Sequence, residues 1–429
     1  MHKINSTRAL FRMAPPALDR RRFLAASTAA LTLGPAMGAG AQPAGAPAIR
    51  DAAPIATAER RARIEKAQSL LQDLGLSALF VEAGSTLQYF TGVKWWRSER
   101  LTAALIPAEG DLMIVTPEFE EPSIREMLKV GDDVRIWNEH QSPFALIRGW
   151  LDENGIADGR LAVDETVRYF GTLGVRKAAP DATLVSGAPV VDGCRMYKSP
   201  TELALMQKAA DITIAAYRRL EGRIEAGMDG ADVFAMMRAE MQALGGEAPS
   251  GGVQINEGSA LPHGSKERQI IREGSTVLMD CGCGADGYRS DISRTFVFGE
   301  PSKMQRRVFA EVRRGQDIAM EAAQPGAPAG SVDDRVRAYY VEELGYGPGY
   351  ATPGLPHRTG HGIGMDVHEP INLVHGETTP LRAGMCFSNE PGIYIPGSFG
   401  VRIEDCFYMT EDGPAYFSTP PRSLDAPFA

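Results

Sequence analysis

The sequence has little cysteine, tryptophan and histidine, and it lacks a long apolar run. Its 429 residues include five cysteines, four tryptophans and seven histidines. An odd number of cysteines cannot pair completely within one chain, so we predict no structural disulfide. After the first forty residues, no run approaches the roughly 20 apolar residues that a bilayer span needs, which excludes a membrane bundle.

An excess of positive charge is also missing. The formal net charge is −9, and the charge is more negative without the first 41 residues, whose charged side chains are mostly basic. We therefore expect no nucleic-acid partner. The hydrophobic fraction of 44% and the charged fraction of 23% are ordinary for a globular protein, and the length favours two domains.

Residues 1–41 have the composition of an export signal. Three arginines and the pair Phe23 and Leu24 precede a short apolar stretch, while Ala39 and Ala41 suit a cleavage site. The Arg-Arg-x-Phe-Leu pattern resembles a twin-arginine signal, so we expect a periplasmic or secreted protein without a membrane anchor after cleavage. A disordered tail and an uncleaved anchor are the alternatives. Export of a folded chain would agree with free thiols and with metal loaded in the cytoplasm.

Composition and periodicity divide the remaining chain into a linker and two domains. Residues 42–56 are rich in Pro and Ala, which is typical of a linker. Over residues 57–195, strand patterns such as Ala78–Val81 alternate with helix-periodic segments, which predicts an α/β domain. Residues 196–429 form the second domain, where helices alternate with strand pairs. We expect those helices near 231–243, 303–322 and 332–344.

The second domain begins with a clear helix start. Ser199 and Glu202 match a capping box, and Pro200 occupies the first helical position. We predict a long helix from this point to near Gly227.

The segment from Thr276 to Phe296 brings two aspartates onto neighbouring strands. An apolar strand ends on Asp280, a glycine-rich turn follows, and a second strand carries Asp291. In such a hairpin the two carboxylates can lie side by side, where they repel each other unless a cation is between them. A solvated turn with incidental acids is the alternative, which this pair alone does not exclude.

Histidines are concentrated in a glycine-rich region. Five of the seven lie between residues 263 and 375. Three of them, His357, His361 and His368, stand among glycines that permit close approach of the backbone to a site. A packed or surface role would suit one such histidine, whereas three at this spacing indicate a functional site.

Two glutamates complete the set of candidate ligands. Glu390 and Glu404 each follow a short strand-like segment. With the strand period of two, Arg402 and Glu404 share one face and can point into a cavity together. Four carboxylates and one imidazole form an oxygen-rich ligand set, which suits two divalent ions such as Mn²⁺, Co²⁺, Fe²⁺ or Zn²⁺ better than a thiolate zinc site.

The order and context of these five candidate ligands resemble the pita-bread metallopeptidases. This family includes the Xaa-Pro dipeptidases (prolidases), aminopeptidase P and methionine aminopeptidase. The resemblance covers residues 200–425, and residues 57–195 resemble the creatinase-type N-terminal domain. It implies an α/β creatinase-like domain followed by an α+β pita-bread catalytic domain, and the first domain argues against methionine aminopeptidase. No ligand position is substituted, which disfavours the metal-free relatives.

The resemblance also implies a role for each ligand. It makes Asp280 a ligand of one ion, His361 and Glu390 ligands of the other, and Asp291 and Glu404 bridges between them. Two such ions share a water, lower its pKa and polarise the scissile carbonyl. The implied cofactor is a pair of divalent ions, with Mn²⁺ favoured, and Glu390 is also the implied general base.

Four further residues match positions near the substrate in this family. His368 is implied to stabilise the oxyanion, and Arg402 to contact substrate beside the bridging glutamate. His263, taken as catalytic, and His357, taken as substrate-binding, match positions on the leaving-group side of proline-specific members. The implied substrate is a short peptide cleaved at an Xaa-Pro bond.

A homodimer is implied as well. Trp95 and Trp96 stand where first-domain residues of the family approach the active site of a neighbouring subunit. Core packing of these large aromatic side chains is the alternative.

Two other function classes stay open because a fold does not fix a function. One is a hydrolase or lyase that acts on a small non-peptide substrate. The other is a non-enzymatic peptide-binding module, which would require loss of the metals.

Overall fold

The computed structural model describes residues 48–428. The expected export signal, residues 1–41, and the first part of the expected linker lie outside the described residues. The last residues of that linker, which the structure describes, are hydrogen-bonded to the second domain. The backbone N–H of Arg50 donates to Asp211 at 3.0 Å, and the N–H of Ile55 donates to Asp286 at 3.2 Å. The side chain of Ile55 is buried, a contact that the Pro- and Ala-rich composition did not indicate.

The first domain contains six α-helices and six strands among the described residues. They are α1 (Thr57–Asp73), β1 (Ala78–Glu82), α2 (Ser85–Thr91), β2 (Ala103–Pro107), β3 (Met113–Pro117), α3 (Glu121–Met127), β4 (Asp133–Trp137), α4 (Pro143–Glu153), β5 (Arg160–Val163), α5 (Tyr169–Ala178), β6 (Thr183–Ser186) and α6 (Ala188–Arg195).

These strands form one mixed sheet in the order β4-β3-β2-β1-β5-β6. The three strands β1, β2 and β3 are buried along their whole length, which is expected for a sheet that helices cover. β1 pairs antiparallel with β2 and parallel with β5, while β3 pairs parallel with β4. The α/β character expected for this part of the chain is therefore present.

The second domain contains four α-helices and eleven strands among the described residues. They are α7 (Pro200–Leu220), α8 (Gly230–Ala243), β7 (Glu247–Ile255), β8 (Thr276–Ala285), β9 (Tyr288–Arg289), β10 (Ile292–Val297), α9 (Lys303–Ala322), α10 (Gly330–Ala338), β11 (Gly360–Gly362), β12 (Glu369–Leu373), β13 (Cys386–Asn389), β14 (Gly392–Ile395), β15 (Phe399–Arg402), β16 (Asp405–Thr410) and β17 (Gly413–Tyr416).

Three sheets carry the polar residues of interest. One sheet has the order β10-β8-β7, with β9 paired to β8; a second has the order β12-β11-β13-β16-β17; and β14 pairs with β15. Buried side chains of the first of these sheets pack in the same apolar core as buried side chains of the first domain. A separate core packs α9 and α10 against the second sheet.

The helix that begins the second domain has the predicted start but an earlier end. The Ser199 hydroxyl accepts from the N–H of Glu202, and the Glu202 carboxylate accepts from the N–H of Ser199, which completes the capping box. The helix ends at Leu220, whereas we expected it to continue to near Gly227. Gly222 has a φ of 71°, a left-handed conformation in which the helix cannot continue.

The helix expected at 332–344 is also altered at its end. The α-helical part, α10, stops at Ala338, and the chain continues as a π-helical turn over Tyr339–Glu343. The helices expected near 231–243 and 303–322 match α8 and α9.

All five cysteines of the chain lie within the described residues, where each is buried and unpaired. Among residues 48–428, no helix has both the length and the apolar character that crossing a membrane requires.

Candidate metal centre

A β-hairpin brings two aspartates close together. Asp280 lies on β8 opposite Ser293 of β10, and Asp291 directly precedes β10. The side chain of Asp291 is 16% exposed, and its partial burial together with the charges of Asp280 and Glu390 raises its pKa well above the ordinary value. The hairpin therefore concentrates negative charge where water is scarce.

A single imidazole is oriented toward this charge. His361 lies on β11, and its Nδ1 is 3.0 Å from the carbonyl oxygen of Gly362. Because a carbonyl oxygen can only accept, Nδ1 carries the proton and Nε2 has a free lone pair. His361 Nε2 lies 3.4 Å from Glu390 Oε1 and 3.8 Å from Asp291 Oδ2. Burial lowers the pKa of His361 to about 3, so the ring is neutral and able to bind a cation.

Two loops between strands supply the glutamates. Glu390 connects β13 to β14, and Glu404 connects β15 to β16. Burial raises the pKa of Glu390 to about 7, and burial with the charge of Asp291 raises the pKa of Glu404 well above its ordinary value. One ligand atom from each of Asp291, His361 and Glu404 lies within 4.8 Å of the others.

The donor set fits divalent cations. Buried carboxylates that repel one another are held ionised only by nearby positive charge. Two divalent ions would supply that charge, and oxygen donors with one neutral imidazole are suitable ligands for them.

Asp280 receives a direct hydrogen bond from an arginine, whereas the same guanidinium lies 3.8 Å from Glu404. Arg402 Nη2 donates to Asp280 Oδ2 at 2.7 Å, and Arg402 Nε donates to the Ser293 hydroxyl at 3.0 Å. Ser293 in turn donates to Glu404 Oε2 at 2.7 Å. Arg402 and Ser293 thus connect acids that belong to different sheets.

All nine predicted site residues line one cavity of about 580 Å³. They are Asp280, Asp291, His361, Glu390, Glu404, His263, His357, His368 and Arg402. The structure therefore brings all nine residues together in one cavity. Only Asp291, His361 and Glu404 have ligand atoms within 4.8 Å of one another.

Two of the histidines are held in defined orientations. The ring of His368 packs edge-on against His361, with 4.2 Å between the ring centroids. Burial and the charge of Arg358 lower the pKa of His368. His357 Nδ1 lies 2.8 Å from the Arg358 carbonyl oxygen, so its proton is on Nδ1 and Nε2 accepts from the Tyr394 hydroxyl at 3.0 Å. Burial and the charge of Arg402 lower the pKa of His357 to about 3.

The sequence analysis missed three residues that line this cavity or hydrogen-bond to the residues that line it. Ser293 follows Asp291 by two positions and shares its strand face, a signal that could have identified it. Arg358 lines the cavity beside His357. Tyr394 joins His357 to Arg402 Nη1, which is 2.9 Å from its hydroxyl, and no local sequence pattern predicts that contact.

Comparison with known proteins identifies the families to which the two domains are similar. Residues 204–411 match the model of metallopeptidase family M24, and residues 63–197 match the Creatinase/Prolidase N-terminal domain. The chain is 33% identical over 367 residues to the probable dipeptidase PepE of Mycobacterium tuberculosis, covering 84% of this chain and 95% of that protein. It is 31% identical to the Xaa-Pro dipeptidase of Lactobacillus helveticus, covering 82% and 95%.

The chain belongs to metallopeptidase family M24. The crystal structure of dipeptidase PepE from Mycobacterium ulcerans superimposes with a TM-score of 0.79 at 31% identity, covering 87% of this chain and 99% of that one. The protein therefore has a creatinase-like α/β domain followed by a pita-bread α+β domain, as the resemblance implied. It is a metallopeptidase, a hydrolase whose family uses divalent metal ions.

Proposed function

We propose that this M24 protein is an exopeptidase that uses two divalent ions and hydrolyses short peptides at Xaa-Pro bonds. The observation that carries the proposal is the position of the acid and imidazole cluster in a cavity of about 580 Å³ that also contains three further histidines and Arg402. The names of its relatives, which include Xaa-Pro dipeptidases, support the choice of bond.

In this proposal some of the residues are metal ligands and the others bind or activate the substrate. Asp280 would be a ligand of one ion, and His361 and Glu390 would be ligands of the other. Asp291 and Glu404 would each bind both ions. When bound, the ions would supply Lewis acidity toward water and the scissile carbonyl.

The chain itself supplies proton transfer and charge stabilisation. Glu390 would accept a proton from the attacking water, because the bound cations would hold its carboxylate ionised. His368 donates a hydrogen bond to the negative charge that develops on the carbonyl oxygen. His263, His357 and Arg402 line the same cavity. We assign His263 and His357 to the leaving-group side of the substrate, and Arg402 to a substrate contact beside Glu404.

Peptide assays with Mn²⁺ restored test the bond specificity. Xaa-Pro dipeptides, Xaa-Pro-Xaa tripeptides, dipeptides without proline and non-peptide amides would be compared side by side by mass spectrometry. We expect cleavage before proline to be fastest. Faster hydrolysis of a non-peptide amide would favour the alternative of a small-molecule hydrolase on the same fold.

Metal analysis tests the cofactor and the non-enzymatic alternative. We expect roughly two ions per chain after loading, with Mn²⁺ giving the highest activity among Mn²⁺, Co²⁺, Zn²⁺ and Fe²⁺. A peptide-binding module without catalysis would retain about none.

We also propose export by the twin-arginine route to the periplasm or beyond. The basis is the sequence of residues 1–41 alone. Changing Arg20 and Arg21 to Lys should leave a folded, active precursor in the cytoplasm. Unchanged export of that variant would exclude the route.

A homodimer is the proposed assembly. Trp95 and Trp96 stack with 4.5 Å between ring centroids, and Trp96 is 66% exposed, so core packing within this chain does not cover it. Large exposed aromatic side chains are typical of interfaces. We expect a dimeric mass in solution and a weaker dimer for Trp96→Ala; a monomeric wild type would exclude this assembly.

A further inference from the structure

A buried carboxylate directly follows His368 in the chain. Glu369 Oε1 accepts from Arg195 Nη2 at 2.5 Å, and Glu369 Oε2 accepts from Lys198 Nζ at 2.8 Å. The three side chains are only 4%, 9% and 3% exposed, respectively. Buried ion pairs of this kind are kept only when their hydrogen bonds are well satisfied.

The same carboxylate shapes the loop that presents His368. Glu369 Oε1 also accepts from the backbone N–H of Met365 at 2.9 Å and of Asp366 at 3.2 Å. A Cβ on Gly364 would meet the Glu369 carboxylate at 2.6 Å, so the glycine allows the loop to close over it. The loop 364–369 is therefore folded around the Glu369 side chain.

Arg195 extends this contact into the first domain. Its Nη1 donates to the hydroxyls of Ser85 at 3.2 Å and Thr86 at 3.0 Å, both on α2. Its Nη2 also donates to Asp366 at 2.8 Å. Arg195, Lys198, Asp366 and Glu369 form a group of two cations and two anions, which we call the Glu369 cluster.

His368 lies between this cluster and the metal centre. It lines the large cavity and also a second cavity of about 130 Å³, which Arg195, Asp192 and Glu369 line as well. On its other side, the ring contacts His361. A shift of the loop would therefore move the imidazole relative to the reacting carbonyl.

We infer that Glu369 is a positioning residue, which the Arg195 and Lys198 cations hold in place so that His368 points at the developing oxyanion. The inference rests on the proposed function of His368. Loss of this contact between the two domains should then lower the catalytic rate. Loss of a purely structural ion pair would lower only the stability of the protein.

A double-mutant cycle distinguishes these two roles. Glu369→Gln keeps the shape and removes the charge. Since a misplacement of about 1 Å can cost roughly 10²-fold in rate, we expect kcat to fall roughly 10- to 100-fold, with KM and metal content little changed. In a His368→Ala background the same substitution should change kcat by less than about twofold, because the group it positions is gone.

A matched control addresses general damage at the domain boundary. Glu202 is equally buried there, lies 3.5 Å from Arg63 and accepts from the Tyr288 hydroxyl at 2.8 Å, but it does not contact the His368 loop. Glu202→Gln should lower stability and leave kcat unchanged. Lys198→Met, which removes one cation and keeps an apolar stem, should give a smaller fall in kcat than Glu369→Gln.

Amide hydrogen exchange gives a readout that does not need turnover. Exchange at Met365 and Asp366 should accelerate in Glu369→Gln, with and without metal, and remain unchanged in Glu202→Gln. An unchanged kcat, a loss of metal, or a full kcat effect that persists without His368 would each overturn the inference. The cycle uses whichever peptide the wild type cleaves fastest, so failure of the proposed Xaa-Pro preference is a separate outcome.

Discussion

Asp291 and Glu404 show how burial and charge act on single residues. Each is surrounded by other acids, and the pKa of each is raised well above its ordinary value because water is excluded and like charges are near. Such an arrangement is unfavourable for the metal-free protein at neutral pH. It becomes favourable when cations are bound, so metal affinity and the placement of these acids are linked.

Removing either acid should therefore remove metal and activity together. We expect Asp291→Ala and Glu404→Ala to reduce turnover to background and to lower the metal content measured after dialysis. Asp286→Asn, in the turn that follows β8, is a control that should retain both. A variant at either site that kept two ions and a near-normal rate would contradict the ligand assignment.

The two histidines in contact should respond differently to substitution. His368→Ala should keep its metal and lose roughly 10²–10³-fold in kcat, equivalent to roughly 2.7–4 kcal/mol, because it removes a donor aimed at the oxyanion. His361→Ala should bind metal weakly and recover part of its activity at high metal concentration. Steady-state kinetics and metal content would be measured together. Metal loss in His368→Ala would mean that the two roles are exchanged.

At this scale the sequence predicted residue types better than their partners. Asp280 and Asp291 were predicted to lie close together because a hairpin brings nearby strands together, which is a local effect. The link from Tyr394 to His357 depends on how two separate segments pack, and no spacing encodes it. The contact between Arg402 and Asp280 likewise joins different sheets.

Among the elements, helix starts were easier to predict than helix ends. The capping box predicted at Ser199 is local and matches the start of α7, and the structure shows the same motif at Ser302, where α9 begins. The end of α7 at Leu220 comes just before the left-handed Gly222, and the sequence analysis placed the end too late, near Gly227. Similarly, the π-helical turn after α10 retains helical spacing but not the α-helical hydrogen bonds.

Helix α10 fixes the loop that carries His357. Arg337 Nη1 donates to the carbonyl oxygens of Gly349 and Leu355, each at 2.8 Å, and Nη2 donates to that of His357. Asp333, fully buried, binds Arg337 and accepts from the N–H of Thr359 at 3.0 Å. The helix thus holds both ends of the loop before β11.

Arg337→Met should test this element. It leaves the Asp333 carboxylate buried without its cation, so the free energy of unfolding should fall by roughly 3–5 kcal/mol. KM for an Xaa-Pro dipeptide should rise because the loop with His357 is less fixed. The exposed Arg335 on the same helix is the control, and Arg335→Met should change stability by at most about 0.5 kcal/mol. Denaturant unfolding and kinetics measure both effects; equal behaviour of the two variants would argue against this role of α10.

For the whole molecule, the sequence predicted two domains and their classes, but not how they contact each other. The contact includes a shared apolar core and the Glu369 cluster. Arg195 and Lys198 lie at the junction of the domains, and Glu369 is far along the chain. Only the folded structure brings these charges together, so composition and periodicity could not indicate them.

The Glu369 cluster should make the contact between the domains sensitive to acid. Burial alone would raise the pKa of Glu369, but the charges of Arg195 and Lys198 and the nearby N–H of Asp366 lower it from 4.5 to about 2. A folded-state pKa below the unfolded value gives stability that is fully present above about pH 4.5 and is lost as the pH falls toward 2. The difference corresponds to roughly 3 kcal/mol.

The measurement is the free energy of unfolding of metal-free wild type and Glu369→Gln between pH 6 and pH 2.5. Asp291 and Glu404 have raised pKa values and so contribute in the opposite direction, but they are present in both proteins and cancel in the difference. The advantage of the wild type should therefore be constant above about pH 5 and shrink below it. An advantage that stayed constant down to pH 2.5, or grew in acid, would show that Glu369 is not held ionised by the two cations.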